Sequence, residues 1–152
     1  MAFTREEIEA AFQSYEAAAR LAGETGDWAS WADVFTPDAT YWEHLYGRMN
    51  GRDEIRSWIS KTMSTFPGSE MPTFPSDWHV IDEESGRVVV YIQNRMRDPG
   101  DGSVHQAPNV SILVYAGDNQ WSYQEDIYNV DDFSTMIASW SERVKALGTR
   151  RP

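Results

Sequence analysis

Three short turns rich in Gly and Asp divide the second half of the chain: Glu84-Ser85-Gly86, Asp98-Pro99-Gly100-Asp101-Gly102 and Gly117-Asp118-Asn119. None is long enough for a crossover, so the segments they join must be consecutive antiparallel strands. Those segments cover about 77–83, 87–97, 104–116 and 120–129 and carry the Val, Ile, Tyr and Trp that suit a pleated surface. Helices dominate elsewhere. Over 4–22, Ile8, Phe12, Tyr15, Ala19 and Ala22 recur at helical spacing behind a Thr4-x-x-Glu7 capping box. Gly23 to Gly26 breaks that helix, and Asp27 caps a shorter one whose stripe is Trp28, Trp31, Ala32 and Phe35, with Pro37 as its stop. A strand at about 39–46 follows, then an Asn50-Gly51 turn.

A third helix spans 52–66, with Ile55, Trp58, Ile59, Met63 and Phe66 on one face, and a proline-bearing loop covers 69–76. Phe133, Met136, Ile137, Trp140, Val144 and Leu147 mark a C-terminal helix, capped by Asp131 or Asp132 and ended by Gly148; residues 149–152 read as a frayed tail. The 152 residues fit one domain. Helices gathered on one side of a curved antiparallel sheet make an α+β fold, and the curl leaves a cavity between sheet and helices, a common place for a ligand.

Charge and composition narrow the partners. Lys+Arg number 13 and Asp+Glu 24, a net charge of −11, which argues against phosphate backbones and anionic lipid. The absence of cysteine excludes a disulfide framework, a thiolate zinc site and a thiol nucleophile. Three histidines leave little for a metal centre, and no phosphate-binding Gly loop or nucleophile elbow is present. No metal, nucleotide or flavin cofactor is expected. The longest apolar runs, Val88–Ile92 and Ile112–Ala116, are far too short to span a bilayer, and the first thirty residues hold no apolar leader, so a cytoplasmic protein is expected. Seven Trp, seven Tyr and six Phe exceed what a core alone asks for; Tyr and Trp also line pockets, offering a flat apolar face with a polar handle.

Several motifs resemble those of the nuclear-transport-factor-2-like superfamily, in its SnoaL-like and ketosteroid-isomerase-like branch. They are Gly26-Asp27-Trp28 opening helix two, Phe35-Thr36-Pro37-Asp38-Ala39-Thr40-Tyr41 entering the first strand, and Gly51-Arg52-Asp53-Glu54-Ile55 opening helix three. The element order agrees over essentially the whole chain. The resemblance implies a cone-shaped fold, a curved sheet wrapped around the N-terminal helices with a helix at the C-terminus, and a homodimer paired through the outer sheet face. Carried over from ketosteroid isomerases, Tyr15 takes the place of the oxyanion-donating tyrosine and Glu43, five residues after Asp38, that of the carboxylate base. The second oxyanion donor, an acid in those enzymes, falls near Asn109 or Ser111. Carried over from limonene-epoxide hydrolases, Tyr41-Trp42-Glu43 occupies the first-strand motif. Arg95-Met96-Arg97 keeps the arginine but not the aspartate of the middle strand, and Gln124-Glu125-Asp126 places Asp126 in the last strand. That family's Asp–Arg–Asp relay is therefore broken.

Alternation within the first strand puts Tyr41, Glu43 and Leu45 on one face and Trp42, His44 and Tyr46 on the other. Among aromatics, desolvation would push the Glu43 carboxyl up toward working pH, as a general acid or base requires; a buried carboxyl satisfied by an Arg or a backbone N–H is the plainer alternative. Asp126 shares a face with Gln124 and Tyr128, whereas Glu125, Ile127 and Trp121 share the other; it faces either the cavity or an acidic edge. Arg95 either pairs with Asp126 or faces solvent. The Tyr15 hydroxyl, buried on its helix stripe, donates either to a substrate oxyanion or to a backbone carbonyl. Histidine is the side chain suited to proton transfer at physiological pH, so His44 and His105 are either proton shuttles or structural.

The expected site thus has Glu43, Asp126, Tyr15 and Arg95 as catalytic groups, with Tyr41, Asn109, Trp28, Trp58, Tyr128 and His44 around the substrate. The expected activity is cofactor-independent proton transfer of lyase or isomerase type (dehydration, aldol or retro-aldol cleavage, or double-bond isomerisation) on a small apolar, aromatic or polycyclic molecule. The alternative is a non-catalytic ligand-binding or dimerisation module.

Overall fold

In the computed structural model, which describes residues 2–148, four helices pack against one six-stranded sheet. The helices are α1 (Arg5–Thr25), α2 (Trp28–Trp31), α3 (Arg52–Ser64) and α4 (Val130–Leu147). The strands are β1 (Phe35–Glu43), β2 (Gly47–Asn50), β3 (Ser76–Asp82), β4 (Arg87–Arg95), β5 (Gln106–Gly117) and β6 (Gln120–Ile127). Their spatial order is β2-β1-β6-β5-β4-β3. The four strands joined by short turns pair antiparallel in sequence order, as their connections demand. Among the described strands only β1 and β6 run parallel, which makes the sheet mixed.

Local chemistry accounts for the helix ends. Thr4 accepts from Glu7 N–H at the start of α1, and Asp27 accepts from Ser30 N–H at the start of α2. Gly26 and Gly148 close α1 and α4 in the left-handed conformation that glycine adopts without penalty. The cap of α4 is Asn129, ahead of the expected Asp131 or Asp132, both of which lie in the first turn and favour the positive helix end. The tail expected at 149–152 lies outside the described residues.

Several boundaries differ from the sequence reading. Helix α1 runs through Gly23 to Thr25 instead of breaking there, and α2 ends at Trp31, ahead of a 3-10 turn over Ala32–Val34. β1 begins at Phe35, so Pro37 lies within the strand, on an irregular stretch where the register to β6 shifts. The first strand ends at Glu43; residues 44–46 turn, and a separate edge strand β2 pairs back onto β1. Helix α3 ends at Ser64, leaving Phe66 outside it.

The main core lies between α1, α2, α3 and the inner sheet face, built on Phe12, Trp31, Phe35, Ile55, Val90 and Trp121. A second cluster of Met71, Met96, Ala107, Met136 and Trp140 fastens α4 to the end of the sheet. Beside it, the buried Glu70 carboxyl takes Arg97 Nε, and Trp140 Nε1 donates to the Arg97 carbonyl at 2.8 Å. No helix among the described residues is long and apolar enough to cross a membrane.

Candidate functional site

The sheet curls away from the helices at the α3–α4 end and leaves a cavity of about 1160 Å³. Its walls are mainly aromatic, with Phe12, Trp28, Trp31, Trp58, Phe74 and Phe133 among them. Its floor is the inner face of β1, β4, β5 and β6, where alternation brings polar side chains side by side. Glu43 and Asp126 are register partners on the parallel pair, Tyr41 and Gln124 are the pair before them, Ser111 lies opposite Asp126, and Asn109 opposite Ile92.

These groups form one directed hydrogen-bond network. Asn94 Nδ2 donates to Asn109 Oδ1 at 2.7 Å, Asn109 Nδ2 to Ser111 Oγ at 2.8 Å, and Ser111 Oγ to Asp126 Oδ1 at 2.6 Å. From the other side, Tyr15 donates to Gln124 Oε1 at 2.8 Å. The Gln124 amide donates to Tyr41 Oη and to Asp126 Oδ1, both at 3.0 Å, and Tyr41 donates to Asp126 Oδ2. Every chain of donors ends on Asp126.

Burial pushes the Asp126 carboxyl above its ordinary pKa, against the three donors that favour its charge. Glu43 is only 4% exposed, and burial pushes its carboxyl up as well. Hydrogen bonds from Leu45 N–H (3.0 Å) and the Tyr128 hydroxyl oppose that rise, and the Asp126 charge adds to it. Burial and then the Asp126 charge hold the Tyr41 phenol protonated. Two adjacent carboxyls that both resist ionisation are a proton-holding pair.

Of the sequence-predicted residues, Glu43, Asp126, Tyr15, Tyr41, Asn109, Trp28, Trp58 and Tyr128 line this one cavity. His44 does not. It alternates with Glu43, so its ring lies on the outer sheet face, stacked on Trp42 at 4.2 Å with Nε2 2.7 Å from Glu125. Arg95 reaches the cavity rim, but it belongs to the opposite alternation set from Ile92 and Asn94, and its Nε donates to Gln106 at 2.9 Å rather than to Asp126. Trp121, expected on the outer face with Glu125, is fully buried inside. The register between β5 and β6 slips between Val114 and Tyr115, and the extra residue turns Trp121 inward. Asn94 was overlooked, although it occupies the gap between Ile92 and Met96 in the alternation of β4. Gln124 is the larger omission: its amide joins Tyr15, Tyr41 and Asp126, and its place two residues before Asp126 was the signal.

Among the described residues, no group of three His, Cys, Asp or Glu could hold a metal ion. A family model for the SnoaL-like domain matches residues 4–141. No curated protein matches the sequence. Solved structures share the fold at low identity. An epoxide hydrolase of the limonene-epoxide-hydrolase-like kind from M. tuberculosis superposes with a TM-score of 0.69 at 10% identity, over 97% of this chain and 96% of that one. A protein with a ketosteroid-isomerase-like fold from Catenulispora acidiphila, solved with trimethylamine, gives 0.65 at 17% identity, over 82% and 92%. TerC, co-crystallised with polyporic acid, gives 0.59 at 15%, over 82% and 96%.

Proposed function

The chain belongs to the SnoaL-like domain family, and on that footing we propose that it is a cofactor-independent acid/base enzyme of lyase or isomerase type. Its substrate is a small, largely apolar molecule with an aromatic or polycyclic body, held in the cavity. The observation that carries this reading is the juxtaposition of Glu43 and Asp126 on neighbouring strands, both with carboxyls raised by burial, under aromatic walls. A module that only bound an apolar ligand would have no use for two desolvated carboxyls. The small-molecule complexes of two structural neighbours, with trimethylamine and polyporic acid, support a ligand-holding cavity.

In the proposed reaction Glu43 takes a proton from carbon beside a carbonyl and returns it elsewhere, or delivers it to a leaving group. Asp126 is the second proton carrier. Tyr41 keeps its proton and steadies charge on Asp126. Asn109 has given one amide hydrogen to Ser111 and holds the other for a developing substrate oxyanion. Tyr15 acts through Gln124, whose Oε1 accepts its hydrogen bond. The working unit is a homodimer paired through the outer face of the sheet.

The test is a thermal-shift screen of aromatic and steroid-like metabolites, followed by turnover of the hits by wild type and Glu43→Gln. Loss of turnover by about 100-fold or more in a folded variant is the expected result. Full turnover by folded Glu43→Gln would remove Glu43 as the base.

A further inference from the structure

Among the described residues no cationic side chain forms an ion pair with the carboxyls of the cavity floor, and only the His44 ring acts on Asp126 from a distance. Asp126 takes its hydrogen bonds from Tyr41, Ser111 and Gln124, and Glu43 from Leu45 N–H and Tyr128, all neutral donors. Arg95 is bound to Gln106, Arg97 to Glu70, and His44 to Glu125 on the outer face. The remaining cations that reach the cavity, Arg20 and Lys61, are exposed at its rim. Buried charges in native proteins are paired or neutralised, and no Lys or Arg of the described residues pairs with these two carboxyls.

The same end of the cavity has the other half of a cation site. Tyr41 and Trp58 pack with ring centroids 4.8 Å apart, and Tyr46 closes on Trp58 at 6.0 Å. These rings line the same cavity as the Glu43 carboxyl, to which the Tyr128 hydroxyl donates. Aromatic faces attract a cation through the ring quadrupole, most strongly when water is excluded, and they favour alkylated ammonium groups, whose methyls also gain apolar contact.

We infer that the cavity takes a monocationic ligand, an amine or alkylated ammonium carried on an apolar ring, with the positive charge seated between Glu43 and the faces of Tyr41, Trp58 and Tyr46. This assignment rests on the acid/base reading of the same site and narrows its substrate class.

The test is a charge series on the wild-type protein. Benzyltrimethylammonium, its uncharged carbon isostere neopentylbenzene, and the anion phenylacetate are titrated by ligand-observed NMR at neutral pH. The cation is expected to bind at least about tenfold more tightly than the isostere, and the anion more weakly than both. Glu43→Gln should cut affinity for the cation about tenfold and leave that for the isostere unchanged. Equal or tighter binding of the isostere overturns the charge assignment and leaves the proton chemistry standing. Binding of none of the three also overturns it. A cation preference alongside undiminished turnover by Glu43→Gln would instead sink the acid/base reading alone. The wild-type series requires no variant to fold.

Discussion

The Tyr15 hydroxyl donates to Gln124 Oε1 at 2.8 Å, joining α1 to β6 across 109 positions of sequence. Its proton is thereby committed to the protein. The Gln124 amide in turn has its hydrogens on Tyr41 and Asp126, so a phenol on the first helix fixes the orientation of a carboxyl network on the last strand.

Tyr15→Phe should therefore act on stability. It strands the buried carbonyl of Gln124, a loss of about 1–3 kcal/mol. Urea unfolding of the variant measures it, and an unchanged midpoint would mean that Gln124 finds another donor.

The acid pair gives stability an unusual pH dependence. Folding raises the Glu43 and Asp126 carboxyls, so between their unfolded and folded pKa values the folded chain holds more protons than the unfolded one. Their contribution is complete below the unfolded values, near 4, and is lost as pH rises through the folded ones. Asp101, lowered to about 2 chiefly by its hydrogen bonds to Ser103, works in the opposite sense: its contribution is present above the unfolded value and disappears as pH falls toward 2. In melting curves taken from about pH 4 to 7, the double variant Glu43→Gln/Asp126→Asn should lose less melting temperature with rising pH than wild type. Parallel curves would contradict the raised pair.

Arg95 separates the two faces of β4 experimentally. Because its side chain is bound to Gln106, Arg95→Ala should retain turnover well above the roughly 100-fold loss expected for a missing acid or base. A loss of that size would place the guanidinium in the reaction.

Gly23 marks where α1 meets the 69–76 loop at the cavity wall. A Cβ there would lie 1.9 Å from the Pro72 carbonyl oxygen, a collision between two backbones with no flexible side chain to yield. Gly23→Ala should destabilise the fold by about 1–3 kcal/mol, read as a lowered urea midpoint.

The proposed dimer predicts light-scattering mass at twice the 17.4 kDa of one chain at micromolar concentration. A mass equal to one chain would remove it.

Sequence reading reached the site wherever period-two alternation ran undisturbed. Tyr41 and Glu43 face inward as their spacing requires, and Val88 and Val90 do the same on β4. It failed where the backbone departs from that period. The slip near Ser122 reversed the expected face of Trp121, and nothing in Gln120-Trp121-Ser122-Tyr123 announces an extra residue. The edge strand Gly47–Asn50 has only Met49 buried and no β-branched residue, so no strand pattern was there to find. The Arg95 partner was not legible either. A cation on that strand offers Asp126 a partner, yet the folded sheet binds the Arg95 guanidinium to Gln106 instead.

The parallel pairing of β1 with β6 also governs when the site comes into being. Tyr41 and Asp126 stand 85 positions apart, so closing that contact carries the entropic cost of a long loop and cannot precede synthesis of nearly the whole chain. A nascent or truncated chain lacking β6 has Glu43 on a strand that can pair only with β2, with no second carboxyl beside it. The side-by-side carboxyls arrive only with that strand pairing, and a chain that stops short of it holds half of the pair.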